Sequence, residues 1–204
     1  MKTFVKRLVE TDPAFRPIVE QSPLCSIALK KYSRTHYETI IVSIASQQLS
    51  SKAADTIIAR VKKAAGGAIN PARIDALDDA SLRACGLSFA KIRSIREFTE
   101  AIKNKSIRFH TFPSLSNEEI SEQLTAIWGI GRWTVEMFLI FHLGRLDLWP
   151  VGDLAVRRGW EKIHKLPEQI LPKDLEILGK QFAGYQSVVA WYCWRATEGD
   201  SANW

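Results

Sequence analysis

The stretch Leu124-Thr-Ala-Ile-Trp-Gly-Ile-Gly-Arg-Trp-Thr-Val-Glu-Met137 decides how this chain is read. One helix should end near Ile127 and another begin near Gly131, with a glycine-rich turn joining them. Glycines permit positive φ and let a backbone approach a partner closely. Such a turn would leave the N–H groups of Gly131 and Arg132 free at a helix N-terminus, a ready site for an anion such as a DNA phosphate. Arg132 adds charge at the same spot. A glycine-rich turn between two packed helices is common, so the pattern alone does not make a binding motif and its surroundings must decide.

Working outward, the periodicity is helical nearly everywhere. Ile40, Ile41, Ile44 and Ala45 recur at helix spacing, as do Ala53, Ala54, Ile57, Ile58 and Val61, which end at Gly66-Gly67. Asp12-Pro13 and Asn70-Pro71 each read as an N-cap followed by proline at the first helical position. Ser88 caps a helix through about Ile102, and Ser116 with Glu119 forms a capping box. A helix opens near Pro172 and stops at Gly184; the last runs from about Gln186 to Thr197. The best strand candidate, Ser106 to Phe112, is short and ends at Pro113. The pattern predicts an all-α fold of about ten helices, with 106–116 and 144–152 as the main irregular connections.

The 204 residues suit one large domain or two small ones sharing an interface, and 46% apolar content supports a substantial core. Lys and Arg outnumber Asp and Glu by 28 to 22, a modest argument for a polyanionic partner. Cys25, Cys85 and Cys193 are dispersed, with neither a CxxC pair nor metal spacing, which fits a reducing cytoplasm. The N-terminus has no apolar stretch of signal-peptide length, and no apolar run is long enough to span a bilayer. The expected location is cytoplasmic, at the nucleoid in a prokaryote, and the expected state is a monomer.

In this setting Leu124–Met137 resembles the helix-hairpin-helix motif of the DNA glycosylase superfamily that carries a Gly/Pro-rich loop and an essential aspartate. The match is closest to the alkylation-repair branch, 3-methyladenine DNA glycosylase II. Three more segments resemble that branch in the right order: Ile44–Ala54 its glutamine-containing helix junction, Trp149–Gly159 its aspartate segment, and Tyr185–Arg195 its closing helix. The resemblance spans roughly residues 35 to 198. It implies two helical subdomains with the active-site cleft between them: subdomain A over about 36–145, including the hairpin 124–137, and subdomain B over about 1–35 plus 146–204. Longer family members carry an N-terminal β-rich domain, for which residues 1–35 are too few.

The resemblance places the catalytic carboxylate at Asp153. Read from the residues, Pro150-Val-Gly152 breaks the chain and puts Asp153 at the start of a helix bearing Arg157 and Arg158, where an Asp is an ordinary N-cap. The two roles are compatible, because an N-terminal dipole favours the ionised carboxylate. Cleavage of an N-glycosidic bond develops positive charge on the deoxyribose, which a carboxylate beside C1′ stabilises. It can also orient or deprotonate the attacking water. A cationic alkylated purine leaves without acid catalysis. Bifunctional relatives carry a Schiff-base lysine just after the hairpin, where this chain has Trp133; the resemblance therefore implies hydrolysis to an abasic site without strand nicking.

The resemblance also implies how damaged double-stranded DNA is held. The target nucleotide must leave the stack. Gln48 or Leu49 is then the wedge, Ser50 lies beside it, and Gln47 lies nearer the pocket. Gly129, Gly131, Arg132 and Thr134 face the strand. Trp133, Trp191 and Trp194 are the candidates for stacking on a flat, often cationic base, with Tyr37, Phe89 and Tyr185 behind them. No cofactor is expected for catalysis. A structural Na, K, Mg or Ca ion is expected at the hairpin, on the main-chain carbonyls of Thr125, Ile127 and Ile130. Some relatives hold an iron–sulfur cluster on four clustered cysteines, which Cys193 alone cannot do. Two other readings stay open: a non-catalytic helix-hairpin-helix DNA-binding protein, which needs no Asp153, and a glycosylase of different base specificity.

Overall fold

The computed structural model describes residues 1–29 and 33–198. The parts of the expected subdomain B at 30–32 and 199–204 lie outside the described residues. Among those described, the regular structure is helical throughout. Twelve α-helices occur: α1 (Lys2–Thr11), α2 (Arg16–Gln21), α3 (His36–Ser46), α4 (Ser51–Ala64), α5 (Pro71–Asp75), α6 (Asp79–Ala84), α7 (Phe89–Lys103), α8 (Asn117–Thr125), α9 (Arg132–Met137), α10 (Leu154–His164), α11 (Pro172–Gly179) and α12 (Gln186–Thr197). The count exceeds the expected ten or so in part because α6 is a separate short helix started by its own cap, Asp78. Among the described residues, no helix is long and apolar enough to cross a membrane.

The helix starts follow side-chain chemistry. Thr35, Ser50, Asn70, Asp78, Ser88, Ser116 and Asp153 each accept a hydrogen bond from the backbone N–H three residues on, satisfying one orphan donor of the helix that follows. At Ser116 the capping box is complete, since the Glu119 carboxylate accepts from the Ser116 N–H at 2.7 Å.

The chain divides into two compact units. One comprises residues 33–138, the other residues 1–29 with 139–198. The division falls at Phe138, within a π-helical turn, Phe138–His142, that continues α9. The family resemblance implies a boundary near residue 145. In the central unit, Ile40, Ile41 and Ile44 of α3 are buried, as are Ile95 and Phe98 of α7 and Ile120 and Leu124 of α8. Tyr37 stacks on Phe98 at 5.3 Å and shares a 2.7 Å hydrogen bond with Thr99, so it is a core residue with a satisfied hydroxyl.

Segment 106–116, expected as an irregular connection, contains a 3-10 helix, Phe109–Ser114, that buries Phe112 and sets its ring against Phe109 at 5.3 Å. One tight turn covers those rings more completely than an unpaired strand would.

The second unit is built on α10 and α12. A Cβ on Gly159 would stand 2.0 Å from the Cys193 carbonyl oxygen, so only glycine lets the two helices approach this closely. Phe15, Trp160 and Phe182 form an edge-to-face cluster beside them, and buried Tyr185 shares a hydrogen bond with Thr11. The helix expected to run from Pro172 to Gly184 ends at Gly179, is followed by a 3-10 turn, Lys180–Phe182, and reaches Gly184 at φ +89°. A Cβ on Gly179 would meet the Trp149 indole at 2.2 Å; the indole N–H donates to the Leu175 carbonyl at 2.8 Å.

All three cysteines are free and buried. Burial raises the Cys25 thiol to about 11 and pushes those of Cys85 and Cys193 up as well. The reactive thiolate is therefore scarce at neutral pH. Native protein at pH 8 should leave a thiol-specific disulfide reagent unconsumed over a period in which urea-unfolded protein consumes three equivalents. A fast native thiol would contradict the packing described.

Candidate active site

Asp153 differs from the other six caps. It is 6% exposed, whereas the others are exposed or half-buried. Its Oδ1 accepts from the Val156 N–H at 2.9 Å and from the Trp194 indole N–H at 3.1 Å. Pro150-Val-Gly152 forms the turn that delivers it, closed by the Asp153 N–H on the Pro150 carbonyl at 2.9 Å. The second donor comes from α12, and it reaches because Gly159 lets α12 close on α10. A buried carboxylate held by two donors at a helix N-terminus is fixed in position. Phe141 packs against Trp194 at 5.2 Å between ring centres. Trp194, expected as a stacking surface, holds Asp153 through its indole N–H. Trp191 is buried, with the Arg195 guanidinium 5.3 Å from its ring centre.

The hairpin belongs to the central unit. Helix α8 ends at Thr125 and α9 starts at Arg132 with Gly131 as N-cap. The two glycines are used differently. Gly129 has φ +82°, and a Cβ there would strike the Ser94 hydroxyl at 2.0 Å. Gly131 has φ −85°, and a Cβ there would meet nothing within 4 Å. Gly129 therefore makes the turn, while Gly131 leaves the approach to it open. The N–H groups of Gly131 and Arg132 have no hydrogen-bond acceptor among the described residues. Arg132 is exposed, but its guanidinium is paired with buried Glu136 at 3.0 Å, which holds it along α9. Thr134 is buried, because the same turn that exposes Trp133 points Thr134 inward; its side chain takes no place on the surface the hairpin presents. Trp133, in the first turn of α9, is 49% exposed.

The junction between α3 and α4 is tied to this hairpin. The Gln47 side chain donates to the Gly129 carbonyl at 3.0 Å. Gln48 takes φ +57°, and Gln48, Leu49 and Ser50 all lie exposed, with Ser50 capping α4. A cavity of about 170 Å³ opens here, lined by Gln47, Gln48, Lys91, Ser94, Trp128 and Gly129 among others. Lys91 donates to the Ala45 carbonyl at 2.8 Å, and burial lowers the pKa of its amine.

Trp128 was not singled out in the sequence, yet it is 42% exposed, carries the Arg93 guanidinium 4.4 Å from its ring centre and donates its backbone N–H to the Glu97 carboxylate at 3.1 Å. Its place directly before Gly129 was the available signal. The Arg93 hydrogen bond, with the Trp128 N–H assisting, holds the Glu97 carboxyl below its ordinary range. Phe89 is exposed beneath the Arg83 guanidinium, whereas Tyr37 and Tyr185 are core residues.

Among the described residues, no group of three or more His, Cys, Asp or Glu side chains could hold a metal. Main-chain carbonyls are a separate matter. Among the described residues, those of Thr125 and Ile130 accept no backbone hydrogen bond, and that of Ile127 accepts one, from Ile130, leaving a lone pair. These hard oxygen donors fit a cation such as sodium, potassium, magnesium or calcium.

Residues 41–183 match the family described as HhH-GPD superfamily base excision DNA repair protein, and the chain belongs to that superfamily. It is similar to DNA-3-methyladenine glycosylase 1 of Schizosaccharomyces pombe, with 41% identity over 167 residues, 79% of this chain and 72% of that protein. The crystal structure of a DNA-3-methyladenine glycosidase from Bacillus halodurans superposes with a TM-score of 0.85 at 34% identity, over 97% of this chain and 90% of that one. The 3-methyladenine DNA glycosylase of Schizosaccharomyces pombe, in complex with abasic DNA, superposes with a TM-score of 0.83 at 35% identity, over 98% of this chain and 99% of that one.

The two hairpin glycines predict opposite outcomes. Gly129→Ala forces a side chain into positive φ, at about 1–2 kcal/mol, and onto Ser94, so urea denaturation should show a loss of roughly 2 kcal/mol or more. Gly131→Ala gives up only the preference for glycine over alanine at an N-cap and should cost about 1 kcal/mol or less. Equal losses would rule out this division of labour.

Proposed function

We propose that this protein is a DNA glycosylase that extrudes alkylated bases of the 3-methyladenine type from duplex DNA and excises them hydrolytically, leaving an abasic site. The observation that carries the reading is Asp153: a buried carboxylate held by a helix N-terminus and an indole N–H, in a chain that also has the hairpin of this superfamily. The similarity to proteins named for 3-methyladenine excision supports the substrate class.

The chain's own residues then act as follows. The free N–H groups of Gly131 and Arg132 bind a backbone phosphate, and Gly131 allows the close approach. A cation on the carbonyls of Thr125, Ile127 and Ile130 would add positive charge at that contact. The exposed Gln48 and Leu49 fill the space the extruded nucleotide leaves, on a turn braced by Gln47. Trp133 offers an exposed aromatic face to a flat cationic base. Asp153 stabilises positive charge as it develops at C1′ and orients the incoming water. The base departs with the bond electrons, water supplies hydroxyl to C1′, and its proton leaves to solvent. With Trp133 where bifunctional relatives carry lysine, no Schiff base forms and the strand is not nicked.

Release of free bases from methylated duplex DNA, followed by mass, tests the reading. Asp153→Asn should lose about a hundredfold or more in turnover while still binding a duplex that contains an abasic analogue. Unchanged turnover, or a borohydride-trapped covalent adduct with the parent protein, would overturn it. Trp194→Phe keeps an aromatic face but removes the donor to Asp153. Loss of a hydrogen bond to a charged group is worth about 1.5–3 kcal/mol, so turnover should fall roughly ten- to a hundredfold with little change in duplex affinity.

A further inference from the structure

Arg157 has no role in the arrangement described so far, and its surroundings are unusual. It lies on α10, one turn after Asp153, in a half-buried position. Its Nε is buried without a hydrogen-bond partner among the described residues. No described residue forms an ion pair with its guanidinium. Its neighbour behaves as a surface arginine should, since Arg158 is exposed and faces Glu161 at 3.9 Å. The two terminal nitrogens make no hydrogen bond with a described residue either, but unlike Nε they are not sealed from solvent. A charge that cannot be shed and that the fold leaves unpaired is thus open to an outside acceptor through those terminal nitrogens.

The position on the helix identifies the ligand. Four residues along an α-helix advance about 6 Å and return to nearly the same face. Asp153 caps α10 and Arg157 lies one turn further along it, so a carboxylate is followed by a cation along the helix. A nucleotide presents the complementary pair: a sugar carbon that becomes positive during excision, and anionic phosphates on either side of that sugar. A guanidinium binds phosphate through two parallel N–H donors and so fixes orientation as well as distance.

We infer that Arg157 binds a backbone phosphate of the extruded nucleotide and thereby sets its C1′ against Asp153. Arg157 is a positioning residue, acting on the substrate rather than on the reacting bond. The inference rests on the glycosylase reading above.

Arg157→Met removes the charge and the orphan donor but keeps an apolar stem of similar length. Its melting temperature should equal or exceed the parent's, because nothing in the fold depends on the guanidinium. Its affinity for a duplex carrying a tetrahydrofuran abasic analogue, read by fluorescence anisotropy, should fall about tenfold at low salt. The slope of log K against log salt should become shallower by about 0.9, the signature of one lost phosphate contact. Arg157→Lys should restore most of the slope. An unchanged slope in Arg157→Met overturns the inference, and so does a clear drop in melting temperature, which would make Arg157 a brace of the fold. Base release by the parent protein, assayed in parallel, separates the two failures. If the parent excises bases and the slope is unchanged, only the role of Arg157 falls. If the slope changes and no base is released, the glycosylase reading falls and the phosphate contact stands.

Discussion

A carboxylate can be buried only if donors replace the water it gives up, and the way Asp153 meets this constraint organises one half of the molecule. Its first donor is a backbone N–H, which requires a helix to begin at that residue. Its second is the Trp194 indole, which requires another helix to pass close by. The first condition is met by the turn through Pro150-Val-Gly152, the second by Gly159, which removes the one Cβ that would hold α12 away from α10. Core packing and site geometry are thus the same contact. A change at Gly159 would reach Asp153 without touching it.

The hairpin meets a different constraint by a similar economy. A helix N-terminus that is to accept a phosphate must keep its N–H groups unpaired and its approach clear. The turn that creates it also needs a backbone conformation that side chains oppose. Gly129 supplies the conformation and Gly131 the clearance. The Gln47 side chain, donating to the Gly129 carbonyl, links this turn to the exposed Gln48–Ser50 junction. Two segments about eighty residues apart in sequence are therefore held as one surface, which suits a task that needs a strand gripped and a base replaced in register.

Helix starts were legible because capping is local chemistry: Ser116 with Glu119, Asn70 before Pro71 and Ser88 before α7 act within one turn of themselves. The hairpin and Asp153 were legible for the same reason, each being a short motif whose backbone consequences follow from its own residues. The 3-10 turn at Phe109–Ser114, the early end of α11 at Gly179 and the inward face of Thr134 were not. Each is set by a partner distant in sequence, such as the Trp149 indole against Gly179, or by which side of a helix the rest of the chain happens to cover.

The sequence by itself determined the helical class, the hairpin, the capping aspartate and the place of Trp133 where a lysine would make a different enzyme. Only the tertiary structure decided which cap is buried, that Trp194 donates to Asp153, that Gly131 differs from Gly129, and that Arg157 lacks a partner. Capping and turn formation depend on neighbours a few residues away and can be read along the chain. Burial and hydrogen-bond satisfaction depend on what the completed fold brings alongside, and no local pattern records that.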